Sequence, residues 1–375
     1  MSATITPITM PKWGLSMSEG TVVAWLVDEG AEVRSGMPLL EVETDKINNE
    51  IEAAEAGILR RKVAQEGALL PVKALLGVLA PAEVGDAEID AYVAAYVAPA
   101  TEDDQGGAAA DAYQFVDVAG LRVRYAGRGD LRNGVPVLFI HGFGGDLDNW
   151  LFNIDAAGEF LPTLALDLPA HGQSAVRLPG ATLADLSAFV LAFLDALGVD
   201  RVHLVGHSLG GTIAASMARA AAKRVASLTL IASAGLGDEI DADYLGGFVA
   251  ASSRRELKPV MERLFADASL VSRQLLDDVL RFKRLDGVGA ALTDLAAGLF
   301  AGGRQSDQPG RGIADSGIPV QVIWGSADRI IPSRHATAAG AAAKVHVLDG
   351  AGHMVQMERA REVNALLVEH LRSSA

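Results

Sequence analysis

The chain contains no cysteine. Disulfides, thiolate catalysis and cysteine-bound metal are therefore excluded, and the absence fits a reducing, cytoplasmic setting. Cations are in the minority: 32 Lys and Arg against 47 Asp and Glu leave a formal charge of −15. Nucleic acid and anionic membranes would repel such a chain, so neither is expected as a partner. No apolar run approaches the ~18–20 residues of a membrane-spanning helix. The opening residues MSATITPITM lack the basic and apolar regions of a secretory signal. Neither His-Glu-x-x-His nor a Cys/His cluster occurs, so no metal is expected. What is present is bulk: 375 residues, half of them hydrophobic, suffice for two domains with a large core.

The stretch with the most chemistry is VHLVGHSLGG at Val202–Gly211. Its first residues form a short apolar run with β-branched side chains, which predicts a buried strand. The alanine-rich segment Thr212–Ala222 predicts a helix. Between them stands Gly206-His207-Ser208-Leu209-Gly210, a G-x-S-x-G in the strand–turn–helix context of a nucleophile elbow. Gly206 and Gly210 carry no Cβ to crowd the strained serine backbone. The Ser208 hydroxyl is then presented at a helix N-terminus whose free N–H groups can hold an oxyanion.

The first eighty residues contain a repeat. Gly20, eight residues, then Glu29-Gly30-Ala31 recurs 37 positions later as Gly57, eight residues, then Glu66-Gly67-Ala68. Short strands with Gly turns, twice over, predict two similar sheets related by a pseudo-two-fold axis. Between the halves, Leu39–Ile51 reads as a hairpin with Lys46 at its tip. With MPKWGLSMSEGTV at Met10–Val22 and ETDKI at Glu43–Ile47, this part resembles lipoyl domains, which are all-β flattened barrels. The resemblance implies lipoic acid in amide linkage to Lys46, installed by a lipoate-attaching enzyme. Asp45 and Ile47 beside the lysine favour lipoyl over biotin. The domain limits read as 1–84 for this part and 85–112 for an Ala-, Gly-, Pro- and acid-rich linker, within which Ile89–Val97 predicts one short helix. No room remains for a separate subunit-binding domain.

From 113 to 375, strands alternate with helices, the pattern of a mostly parallel sheet covered on both faces. HGFGG (141–145), DLPAHGQS (167–174), GHSLGG (206–211), WGSADRIIP (324–332) and GAGH (350–353) follow in an order that resembles the α/β-hydrolase superfamily. That resemblance implies an α/β-hydrolase fold with a helical cap at about 235–312. It also implies Asp328 as catalytic acid on the turn after a late strand and His353 as base in the last loop. Asp349 is the runner-up acid. His353 would take the Ser208 proton while Asp328 fixes the imidazole. The backbone N–H groups of Phe143 and Leu209 would form the oxyanion hole. His141 precedes the Gly-rich loop that carries Phe143. His171 and His207 read as structural, His207 packing between sheet and helix, and Trp150 and Trp324 read as core. Met354–Leu371 predicts one closing helix.

A covalent acyl carrier joined to a serine acyl-transfer domain implies a shared substrate. The pairing resembles acetyltransferase components of acetoin dehydrogenase complexes. It implies transfer of acetyl from the lipoyl arm to coenzyme A, with thiamine-diphosphate-dependent acetoin dehydrogenase subunits and dihydrolipoyl dehydrogenase as partners. The H-H-x-x-x-D-G motif of 2-oxoacid dehydrogenase acetyltransferases is absent, as is any stretch resembling a coenzyme A phosphate site. Two other readings stand beside it, an esterase or thioesterase carrying a lipoyl domain and a catalytically idle scaffold. Acyl specificity and homo-oligomerisation are left open.

Overall fold

The computed structural model describes residues 5–11, 13, 17, 19–44, 48–98 and 113–374. The chain divides into two compact units, one built on Met1–Asp111 and the other on Ala112–Ala268 and Leu276–Ala375.

The first unit begins with β1 (Thr6–Thr9), β2 (Glu19–Trp25), β3 (Glu32–Val33) and β4 (Pro38–Glu43). It continues with β5 (Asn48–Glu52), β6 (Gly57–Lys62), β7 (Leu69–Pro71) and β8 (Leu75–Ala80). These form two four-stranded sheets, ordered β1-β8-β6-β3 and β5-β4-β2-β7. The repeat explains the arrangement. β2 and β6 start the two copies, and each pairs with the short strand that follows the Glu-Gly-Ala turn of the other copy, β2 with β7 and β6 with β3. Hydrogen bonds obey the same exchange: Trp25 N donates to Glu66 Oε1 (3.0 Å) and Lys62 N to Glu29 Oε1 (2.6 Å). Met10, Val22, Leu39, Leu40, Val42, Leu59 and Leu76 fill the core between the sheets. Helix α1 (Asp86–Ala95) follows, where the sequence predicts Ile89–Val97. It starts three residues earlier because Arg60 and Arg61 reach Asp86 and Asp90 across its first turns.

The second unit starts with β9 (Gln114–Val118) and β10 (Leu121–Arg128), an antiparallel edge hairpin. Next come β11 (Val137–Ile140), α2 (Ile154–Gly158), β12 (Thr163–Leu166), α3 (Leu183–Ala196), β13 (Val202–His207), α4 (Leu209–Ala220) and β14 (Val225–Ile231). Helices α5 (Ala242–Ala250), α6 (Arg254–Met261), α7 (Arg273–Lys283) and α8 (Val288–Leu299) occupy the predicted insertion. β15 (Val320–Gly325), β16 (Lys344–Leu348), α9 (Val355–Glu358) and α10 (Ala360–Ser373) complete it. The eight strands run β16-β15-β14-β13-β11-β12-β10-β9, parallel from β16 to β12. β11, β13 and β14 are buried along their whole length, as covered parallel strands must be. The single closing helix expected at Met354–Leu371 is instead two. Arg359 leaves the helical region (φ −128°, ψ 43°), and Glu358, just before the break, is turned to hold backbone elsewhere. Among the described residues no single helix is long and apolar enough to cross a membrane.

Candidate active site

β13 ends at His207 and α4 starts at Leu209, so Ser208 alone makes the turn, at φ 52° and ψ −115°. The helix begins three residues before the predicted Thr212, because the elbow serine is itself its N-cap. A non-glycine residue there costs about 1–3 kcal/mol and persists only where its surroundings enforce it. The enforcement is visible. A Cβ on Gly206 would lie 2.4 Å from the Gly210 carbonyl oxygen, and one on Gly210 would lie 2.1 Å from the Ile140 oxygen. The Ser208 carbonyl accepts the amides of Gly211 and Ala234, and its own N–H donates to Ile231 O. The residue is 6% exposed. Its hydroxyl makes no hydrogen bond among the described residues, so the backbone alone holds it.

His353 follows Gly350-Ala351-Gly352 in the loop after β16. Its Nδ1 donates to Asp328 Oδ2 at 2.8 Å, with the Asp328 side chain fully buried and that of His353 2% exposed. Asp349 does not take this place; it is exposed and accepts from Ser326 Oγ at 3.0 Å. Asp328 Oδ1 accepts the amides of Ile330 (2.8 Å) and Ile331 (3.0 Å), so the carboxylate also caps its own turn. Trp324 Nε1 donates to Asp328 Oδ2 at 2.9 Å and to Ile331 O at 3.1 Å. Sequence reasoning placed this tryptophan in the core, where it is, and missed its polar end. The signal was its spacing, four residues before the acid, in a side chain whose N–H needs a partner when buried.

Two further residues fix the histidine loop. Glu358 accepts the amides of Gly352 and Ala266, each at 3.0 Å, and burial raises its pKa. His207, expected between sheet and helix, instead donates from Nε2 to the His353 carbonyl at 3.0 Å, ring centroids 4.7 Å apart. The residue preceding Ser208 thus ties the serine strand to the histidine loop. Burial, then the neighbouring His353, holds His207 neutral.

The loop after β11 carries Phe143, and among the described residues neither its N–H nor that of Leu209 is taken by a protein acceptor. Gly144 N donates to His171 Nε2 (3.0 Å) and Leu168 N to His141 Nε2 (3.0 Å). Burial lowers the pKa of both histidines, that of His171 to about 4, which keeps these nitrogens as acceptors. Asp167 anchors the same loops from below, accepting Leu147 N and Gln173 N and pairing with Arg124. Its pKa is raised to about 6, because burial outweighs the arginine. Above Phe143 stand two cap rings, Phe248 (5.8 Å) and Phe300 (6.4 Å), both edge-on.

In the first unit, pairing of Glu43 with Asn48 closes the β4–β5 hairpin and leaves positions 44–47 as its connection. Lys46 falls in that connection and lies outside the described residues, as do Asp45 and Ile47. A lysine in a short hairpin connection fits attachment of a long arm. Among the described residues no group of His, Asp and Glu could hold a metal ion.

Comparison with known proteins agrees with both halves. Residues 135–360 match the alpha/beta hydrolase fold family, and residues 6–79 match the biotin/lipoyl family described as "Biotin-requiring enzyme". The dihydrolipoyllysine-residue acetyltransferase component of the acetoin cleaving system of Cupriavidus necator is 61% identical over 99% of this chain and 98% of its own length. The protein of the same name from Pseudomonas putida is 48% identical over 97% and 98%. A meta-cleavage product hydrolase from Pseudomonas fluorescens IP01 shares the fold at TM-score 0.63 and 22% identity, covering 70% of this chain and 98% of that one. The chain therefore belongs to the family of dihydrolipoyllysine-residue acetyltransferase components of acetoin cleaving systems, a lipoyl domain fused to an α/β hydrolase.

Proposed function

We propose that this chain moves an acetyl group from a dihydrolipoyl arm on Lys46 to the thiol of coenzyme A, with Ser208, His353 and Asp328 as the catalytic residues. Its domain limits are those read from the sequence, 1–84, 85–112 and 113–375, and its setting is the cytoplasm. The lipoyl group, bound at Lys46, supplies a dithiol that carries acetyl as a thioester. His353 takes the Ser208 proton as Oγ attacks the thioester carbonyl, and the N–H groups of Phe143 and Leu209 hold the oxygen as it gains charge. The proton then goes to the departing sulfur, leaving acetyl on Ser208. His353 next takes the proton of the coenzyme A thiol, the sulfur attacks the ester, and the proton returns to Ser208 Oγ. Asp328 keeps the imidazole in the Nδ1–H tautomer and stabilises its charged form. A thiamine-diphosphate-dependent enzyme would load the arm and dihydrolipoyl dehydrogenase would reoxidise it.

The observation that carries this reading is the buried 2.8 Å His353–Asp328 pair, joined through His207 to the strained elbow serine, in a chain that also carries a lipoyl domain. A thioesterase is the second reading, favoured by the hydrolase fold itself. Turnover of S-acetyl-dihydrolipoamide with and without coenzyme A decides between them. Wild type should form acetyl-coenzyme A faster than free acetate. Ser208→Ala should lose about a thousandfold or more in kcat. Transfer to coenzyme A that is unchanged in Ser208→Ala would exclude the serine route.

A further inference from the structure

No stretch of the sequence resembles a coenzyme A phosphate site, yet the cap assembles a cationic cleft from residues distant in the chain. The cleft measures about 520 Å³ and is walled by Ser252, Arg254 and Arg255 from one segment and by Asp277, Leu280 and Arg284 from another. Arg254 is neutralised by two hydrogen bonds to Asp277. Ser252 and Ser253 are both engaged by Glu256, Ser252 Oγ donating to its carboxylate (3.0 Å) and Ser253 Oγ accepting its amide (3.4 Å). Arg255 and Arg284 are exposed, and among the described residues neither has an acidic partner. On a chain of charge −15, two unpaired guanidiniums on one cleft form a local reversal of sign. Planar forks of N–H donors suit phosphate oxygens.

The two segments that wall the cleft adjoin the cap aromatics that meet the active-site loops. Phe248 packs on Phe143 (5.8 Å), and Ser252 is four residues further on, at most about 14 Å of extended chain. Phe282 stacks on His171 (6.1 Å), and Arg284 is two residues beyond it. The pantetheine arm between the thiol and the adenosine phosphates of coenzyme A has about the length of five extended residues, roughly 17 Å. We infer that this cleft binds the adenosine phosphates of coenzyme A through Arg255 and Arg284 while the pantetheine arm runs beneath the cap to Ser208. The inference rests on the acetyl-transfer reading above.

The test uses the full-length lipoylated chain, S-acetyl-dihydrolipoamide as donor, and two acceptors, coenzyme A and pantetheine, which lacks the phosphates. Arg255→Ala/Arg284→Ala should raise KM for coenzyme A about tenfold or more and leave kcat/KM for pantetheine within about twofold. Arg201→Ala removes the same kind of exposed charge at the start of β13, the opposite end of the strand from Ser208, and should change neither. Added salt should raise the wild-type KM for coenzyme A and affect the double variant less. An unchanged KM for coenzyme A in the double variant, or an equal loss with pantetheine, would overturn the assignment. If wild type uses neither thiol, the transfer reading itself has failed, and calorimetric titration with adenosine 3′,5′-bisphosphate then judges the cleft alone. Binding lost in the double variant sustains a nucleotide-phosphate site. No binding, equal binding in the variant, or equal affinity for inorganic phosphate overturns it.

Discussion

At Asp328 both carboxylate oxygens have donors: two amides on Oδ1, the Trp324 indole and the His353 ring on Oδ2. The acid is thus fixed in orientation before any substrate arrives. Trp324→Phe keeps the ring and deletes one donor. A hydrogen bond to a charged group contributes about 1.5–3 kcal/mol, part of which survives as reorientation of the carboxylate. The expected result is a kcat lower by about tenfold with KM little changed, read from steady-state kinetics. His171 carries a different consequence. Its folded-state pKa of about 4 lies below the ordinary 6.5, because the ring is buried. Between those values the unfolded chain binds the proton and the folded chain does not, so stability is lost as pH falls through that window. At pH 5 the loss from this group is about 2 kcal/mol relative to pH 7 or above. Denaturant unfolding at pH 7 and pH 5 should show a smaller drop, by about that amount, in His171→Gln.

At the scale of elements, the elbow depends on two missing Cβ atoms. Gly210→Ala would drive a methyl group to within 2.1 Å of the Ile140 oxygen, so β11, β13 and α4 would have to separate. Thermal unfolding should register a loss of at least about 3 kcal/mol, with activity lost as well. The helix that precedes β13 behaves more simply. Thr182 accepts Asp185 N while Asp185 accepts Thr182 N, a reciprocal cap, and Thr182→Ala should cost about 1 kcal/mol in the same measurement. These features were legible because turns and caps are written in a few adjacent residues. The break at Arg359 was not. Helical periodicity runs through it, and what stops the helix is Glu358 reaching the amides of Gly352 and Ala266, the latter from the cap.

At the scale of the whole molecule, the N-terminal unit is two copies of one motif that exchange strands, and its hairpin connection holds the only chemistry assigned to it. Mass spectrometry of the full chain expressed with lipoate should show one lipoyl adduct, absent in Lys46→Ala. An unmodified wild-type chain under those conditions would remove the carrier from the proposed reaction.

The lipoyl and hydrolase parts, the parallel sheet and the strained serine follow from the sequence, because strands, tight turns and helices are set by residues close together in the chain. Asp328 and His353, by contrast, were pointed to by resemblance to the α/β-hydrolase superfamily. Which carboxylate meets His353, that Trp324 and His207 brace the pair, and that Arg255 and Arg284 share one cleft were decided only in the tertiary structure. Hydrogen bonds between side chains dozens of residues apart leave no periodicity or spacing to read, and a buried polar atom takes the partner that packing brings within reach.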